Sequence, residues 1–117
     1  MKKLSFLFSI TFIFLLCAGQ NAQAQTSSRL CNLFGAVFVT PVPSQAQYKI
    51  FIEESEAFAD LVVFKQSSAL YADRSGQWYF TEFRPQATFS VTFTENKALA
   101  DFSVYFTQTE AFAGCKQ

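Results

Sequence analysis

Alanine recurs at a nearly constant interval through most of this chain, and that regularity limits the folds the chain can adopt. The intervals are 13, 13, 15, 13 and 13 residues, between Ala46, Ala59, Ala72, Ala87, Ala100 and Ala113. A fixed interval indicates that one short structural unit is used repeatedly and that successive units share a core. The single longer interval contains the sequence DRSG, which predicts a turn or bulge at that point.

A short apolar segment follows each of the first five alanines, and a sixth segment precedes them. The segments are GAVFV, YKIFI, LVVFK, GQWYF, FSVTF and FSVYF. Their period of two is typical of strands with one face in a core, so we predict six strands with the first, third and fifth residues inward. The predicted central core residues are Val37, Ile50, Val63, Trp78, Val91 and Val104. We interpret Gly76 as making room for Trp78 in a core of fixed volume.

The connections between these segments are about eight residues long, too short for the helical crossover that parallel strands ordinarily need. No helical period is present beyond the first residues, so the sequence predicts an all-β fold in one compact domain spanning 34–117. The residue before most of the alanines is large, which predicts connections packed back over the sheet. These residues are Phe58, Tyr71, Leu99 and Phe112.

The first residues have the pattern of a secretory signal peptide. Lys2 and Lys3 precede an apolar run from Leu4 to Ala18, and a small-residue site ends at Ala24. We predict that residues 1–24 are the signal peptide and that the protein is exported to the periplasm or the medium.

Two alternatives to cleavage are disfavoured by the same residues. The run of 15 apolar residues is short for a membrane-spanning helix, which needs about 20. Lipidation at Cys17 would require a small residue before it, but Leu16 stands there. Residues 25–33 are then a short N-terminal segment, and no membrane span is expected after cleavage.

Two cysteines remain after that cleavage, Cys31 and Cys115. In a small exported protein such a pair is usually oxidised, so we predict a disulfide that closes a loop of 115 − 31 + 1 = 85 residues. Two separate free thiols are the alternative, because the sequence does not show whether the two ends of the repeat region meet.

Composition excludes several classes of function. The sequence has no histidine, which removes the usual catalytic triads and the commonest metal ligand. Without Lys2 and Lys3 the chain has 9 − 2 = 7 basic and 9 acidic side chains, so we expect no nucleic-acid binding. We predict a monomeric, non-enzymatic protein without a cofactor.

Two groups of carboxylates are alternatives to that prediction. Asp60, Asp73 and Asp101 hold equivalent repeat positions, so they could form a Ca²⁺ site or an acid/base pair, or each could accept backbone N–H bonds where a strand begins. The second interpretation is favoured. Glu53, Glu54 and Glu56 form an acidic run, which we interpret as a solvated loop, with a partner contact as the alternative.

Aromatic residues cluster around the longer interval. Tyr71, Tyr79 and Phe83 form a candidate surface for carbohydrate or peptide binding, and Tyr79 faces outward by its position in the segment. Trp78 is assigned to the core because it is central on the inward face. The partner, in either case, would be an envelope or extracellular molecule of unknown identity.

Several phrases resemble the septoil-knot domain family, a family of small repeated bacterial β domains with no established activity. The phrases are AFADLVVFK, LYADRSGQWYFTE, ALADFSVYFT and EAFAGC. The resemblance implies an all-β domain with a seven-crossing knotted backbone, although knots are rare in general. The chain departs from the family pattern at Cys115, where an aromatic is usual, and at Gln47, Thr88 and Gly114, where the acid after the alanine is absent.

Overall fold

The structure is a computed structural model, and it describes residues 29–115 of the chain. The predicted signal peptide, with cleavage after Ala24, lies outside the described residues. All six predicted strands are present, followed by a short seventh. The strands are β1 (Gly35–Val39), β2 (Tyr48–Ile52), β3 (Leu61–Lys65), β4 (Gln77–Phe80), β5 (Phe89–Phe93), β6 (Phe102–Thr107) and β7 (Gly114–Cys115).

The first six strands form one closed parallel sheet, a six-stranded barrel. Around the barrel the order is β1, β5, β2, β6, β3, β4, and β4 pairs with β1 to close the ring. Successive strands along the chain therefore lie two places apart, except β3 and β4, which are adjacent. β7 runs antiparallel along the first residues of β3, where Leu61 pairs with Cys115.

Each connection contains a three-residue 3-10 turn directly before the repeat alanine. The turns are Pro43–Gln45, Glu56–Phe58, Ala69–Tyr71, Arg84–Gln86, Lys97–Leu99 and Glu110–Phe112. In every one, the alanine N–H donates to the carbonyl of the first turn residue, as in Ala59 N to Glu56 O. A tight turn of this kind lets a short connection return to the start of a parallel strand without a crossover helix.

The prediction that the large residues before the alanines pack over the sheet is wrong. Their exposed fractions are 61–69%, and the residues are Phe58, Tyr71, Leu99 and Phe112. The alanines are the more buried partners, since Ala59 is 4% and Ala72 5% exposed. Each large residue is the last of a 3-10 turn in which no residue is buried, whereas the alanine caps the turn just before the chain enters the next strand.

The predicted core is confirmed at the centre of every strand. All six central residues are fully buried, at 0% exposure: Val37, Ile50, Val63, Trp78, Val91 and Val104. Leu61, Phe89 and Phe102 extend this core toward the strand starts. At the strand ends the pattern fails, because Val39, Ile52 and Phe93 are 38–43% exposed.

Gly76 has a different role from the one predicted. Its φ is +77°, in the left-handed region, and it lies in the turn that precedes β4. A Cβ at this position would stand 2.5 Å from the Gly114 nitrogen and closer still to the Val62 carbonyl oxygen. Glycine is therefore required because three backbones meet here, and not because Trp78 needs space.

Candidate functional site

The end of the barrel where the strands start is closed. A disulfide joins Cys31 to Cys115, with their Cα atoms 4.9 Å apart, so the pairing predicted from the sequence is present. Leu30 and Leu33 pack against the core at this end, and Trp78 Nε1 donates a hydrogen bond of 2.9 Å to the Leu33 carbonyl. The N-terminal segment thereby plugs the strand-start end.

Two of the repeated aspartates also act at the strand starts. Asp60 Oδ2 accepts the backbone N–H of Ser103 at 2.9 Å, and Asp101 Oδ2 accepts that of Lys49 at 2.7 Å. In return, the Asp60 N–H donates to the Ser103 carbonyl at 3.0 Å. These contacts support the interpretation of the aspartates as partners for strand-start N–H groups.

Two of the three residues that replace the acid at this repeat position make the same kind of bond. Gln47 Oε1 accepts the Ser90 N–H at 3.1 Å, and Thr88 Oγ1 accepts the Ala36 N–H at 3.3 Å. At these two repeats an uncharged oxygen acceptor therefore takes the place of the carboxylate, whereas Gly114 has no side chain to accept a bond. A Cβ on Gly35 would stand 2.7 Å from Thr88 Oγ1, so the glycine gives that hydroxyl room.

Asp73 is the exception among the three aspartates. Its carboxylate faces Arg74 at 3.6 Å, with both side chains largely exposed. Among residues 29–115, no group of three or more His, Cys, Asp or Glu side chains is arranged to hold a metal ion. The Ca²⁺ alternative for Asp60, Asp73 and Asp101 therefore has no support from their placement.

At the opposite end of the barrel, where the strands finish, the last inward residues of three adjacent strands lie together on one side. Lys65 Nζ lies 4.5 Å from the ring centre of Phe106 and 5.6 Å from that of Phe80, and Lys65 and Phe106 also line a cleft of about 440 Å³. A cation placed over aromatic faces in this way is stabilised by the ring quadrupoles.

The other half of the same end is open. Val39, Phe93 and Ile52 end the adjacent strands β1, β5 and β2, and each exposes more than a third of its surface. Beside Ile52 and Phe93 lies an open cleft of about 760 Å³. Its lining residues are Phe51, Ile52, Glu53, Glu54, Ser55, Phe58, Phe93, Thr94 and Glu95. We call this feature the open-end cleft.

Part of the predicted acidic run lies in this cleft. Glu53 and Glu54 line it, whereas Glu56 begins the following 3-10 turn and is absent from the lining. Glu53 forms an ion pair with Lys97, whose ammonium also lies 5.9 Å from the ring centre of Phe51.

Sequence reasoning missed the apolar part of the cleft. It assigned Ile52 and Phe93 to the core because they continue the inward alternation of their strands. The signal that could have separated them is their place at the strand end, next to a connection that carries Glu54 or Glu95.

The predicted aromatic surface is only partly exposed. Tyr71 and Phe83 expose 62% and 58% of their surface, while Tyr79 is half-buried on β4 opposite Ala36. Tyr71 lies in the 3-10 turn that packs against β4, and Phe83 lies just after that strand. No ring contact between any two of the three occurs in the part of the chain that the structure describes.

No helix within residues 29–115 is long and apolar enough to cross a membrane.

Comparison with known proteins bears on the fold. No curated protein matches the chain. The family model of the 7(1) septoil knot domain matches residues 30–116, which include every strand and both cysteines of the disulfide. The phrases that carried the resemblance lie inside this match, and the closed all-β sheet agrees with the fold it implied. The chain belongs to the septoil knot domain family.

Proposed function

We propose that this protein is an exported, non-enzymatic interaction module that binds a partner at the open end of its barrel. The observation that carries the proposal is the difference between the two ends. The strand-start end is plugged by Leu30 and Leu33 and tied by the disulfide, whereas the strand-finish end exposes apolar side chains beside a cleft. Clustered exposed apolar residues of this kind mark interaction sites in small proteins.

Export is supported by the signal-peptide pattern of residues 1–24 and by the Cys31–Cys115 disulfide. Such disulfides persist in oxidising compartments and are rare in the cytosol. The non-enzymatic assignment is supported by the lack of histidine in the sequence and by the use of Asp60 and Asp101 as strand-start acceptors.

A pair of identical tripeptides provides the test. Phe58 lines the cleft and ends a Glu-Ala-Phe turn, and Phe112 ends a second Glu-Ala-Phe turn outside it. Both side chains are mostly exposed, so replacing either with alanine should leave the fold intact.

The full chain, exported and carrying a C-terminal tag, is cross-linked in the native envelope, and the captured proteins are identified by mass spectrometry. We expect one partner to be captured by the wild type and by Phe112→Ala, and to be lost or strongly reduced with Phe58→Ala. Equal capture by the two variants would contradict a partner site at the open end.

A second candidate site is the surface around Tyr79, proposed for a carbohydrate or peptide. The high exposure of Tyr71 and Phe83 favours it. We expect the double variant Tyr71→Ala/Phe83→Ala to lose binding on glycan and peptide arrays that Phe112→Ala retains. Unchanged array signals would remove this candidate.

A further inference from the structure

We infer that the open-end cleft binds a cationic peptide segment in which an apolar side chain is flanked by lysine or arginine. The inference rests on the proposed interaction function, and it adds the chemical class of the partner.

The floor of the cleft is apolar and accessible. Ile52 and Phe93 expose 43% and 39% of their surface, and Phe58 exposes 69% at the edge. Phe51 adds a second aromatic ring to the lining. The volume of about 760 Å³ is in the range of sites that hold small ligands or side chains. An apolar side chain of a partner would remove this surface from water, which is the main source of affinity at such a site.

The rim of the cleft is acidic. Glu53, Glu54 and Glu95 line it, and no lysine or arginine is among the lining residues. Lys97 neutralises Glu53 by its ion pair. Within residues 29–115, no ion pair involves Glu54 or Glu95, so these two carboxylates give the cleft its net charge.

The repeat places these two carboxylates on neighbouring strands. Glu54 and Glu95 each stand two residues after the end of a strand, β2 and β5, which pair with each other. Each therefore lies two residues beyond an exposed apolar residue, Ile52 or Phe93, that ends the same strand. A partner with cationic side chains next to an apolar one matches this arrangement of acids beside an apolar surface.

Charge complementarity selects this partner over other classes. Anionic lipid headgroups would be repelled by Glu54 and Glu95, and a neutral sugar would leave both charges without a partner. Lysine and arginine suit the site because each also has an apolar stem that can lie along Phe58 or Phe93.

The probe is a fluorescein-labelled peptide, Gly-Lys-Phe-Lys-Gly, titrated with the full exported chain and followed by fluorescence anisotropy. Two control peptides replace both lysines with glutamate or the phenylalanine with serine. We expect only the lysine–phenylalanine peptide to bind, and its affinity to fall as salt rises because rim charges are exposed to screening.

Matched variants locate the site. Glu54→Gln and Glu95→Gln should each weaken binding about two- to five-fold, the effect of one exposed charge pair. Glu82 holds the same repeat position after β4 but does not line the cleft, so Glu82→Gln should leave the affinity unchanged. Phe58→Ala should weaken binding strongly, and Phe112→Ala should not.

Three results would each overturn the inference. The glutamate peptide could bind as tightly as the lysine peptide, Glu82→Gln could lose as much affinity as Glu95→Gln, or the lysine peptide could fail to bind. The last result can be separated from failure of the proposed function. If an envelope partner is still captured in a Phe58-dependent way while the lysine peptide does not bind, the open end is an interaction site for a partner of another chemistry.

Discussion

Replacing Asp60 with alanine tests whether the repeated position after the alanine is a structural hydrogen-bond site. Asp60 Oδ2 accepts from Ser103 N at 2.9 Å and from the Ser103 hydroxyl at 3.2 Å. Ser103 is only 1% exposed, so water cannot readily replace the lost acceptor. The variant would leave the Ser103 N–H without that partner.

The expected loss follows from these contacts. A hydrogen bond to a charged group contributes about 1.5–3 kcal/mol, and the exposure of Asp60 itself reduces this value. We therefore expect Asp60→Ala to lower the free energy of unfolding by about 1–2 kcal/mol, which corresponds to about 5–15 °C in Tm for a domain of this size. Asp60→Asn keeps an oxygen acceptor at the same reach but without the charge, so its loss should be about half that of Asp60→Ala.

Trp78 provides the assay, because it is the single tryptophan of the chain and is fully buried in the native protein. Its fluorescence is followed through urea unfolding of the wild type, both Asp60 variants and Asp73→Ala. Asp73 occupies the same repeat position but faces only the exposed Arg74 side chain, so its variant should be within about 0.5 kcal/mol of the wild type. If Asp60→Asn were as destabilised as Asp60→Ala, the charge and not the acceptor oxygen would be what the position requires, and the reasoning would fail.

Three other changes have expected outcomes. The double variant Cys31→Ser/Cys115→Ser should lower the free energy of unfolding by about 4.5 kcal/mol by the loop-entropy model, and the wild-type mass should rise by two hydrogen atoms on reduction. Gly76→Ala should lower the free energy of unfolding by more than about 3 kcal/mol in urea unfolding. Gly114→Ala, whose Cβ would make only ordinary contacts with Ser75 at 3.8–3.9 Å, should lower it by about 1–2 kcal/mol, and equal losses would show that the close approach at Gly76 is unimportant. Deleting residues 74–75, which restores a 13-residue interval, should abolish cooperative unfolding of the exported chain, and a native-like transition would refute the role given to that interval.

The strand centres could be predicted from the sequence because their environment is uniform. Alternation of apolar and polar residues reports which face of a strand is covered, and at Val37, Ile50 and Val104 the covered face is the barrel interior. Alternation does not show at which residue of a strand the buried core ends. Ile52 and Phe93 continue the pattern into the open end, so they were assigned to the core although they border the cleft.

The site after each alanine could be predicted only in part. Asp60 and Asp101 suggested a strand-start bond, but Gln47 and Thr88 were described only as positions where the acid is absent, because the pattern was defined by charge. Their oxygens reach the Ser90 and Ala36 N–H groups across the sheet, 43 and 52 residues away. A contact at that separation depends on which strands pair, which the repeat alone does not determine.

The pairing of the strands in the sheet was the least predictable feature. The sequence shows how long each connection is, but not to which side of the sheet it leads. The 3-10 turn before each alanine allows short connections to join parallel strands. Residue propensities in the sequence did not indicate these turns. The knotted backbone implied by the family stays a prediction for this chain. In the structure, each later strand inserts between two earlier ones.

The longer interval between Ala72 and Ala87 has a reason in the closed sheet. β1, β2 and β3 take every second of the six places around the barrel, so another step of two would return the chain to the place that β1 occupies. A single step from β3 to β4 moves the chain to the vacant places, which β4, β5 and β6 then fill by steps of two. The longer interval lies at this one step, and its two additional residues form the turn in which Gly76 passes the backbones of β3 and β7. The longer interval is therefore the change that allows two sets of three strands, β1–β3 and β4–β6, to alternate around a single barrel.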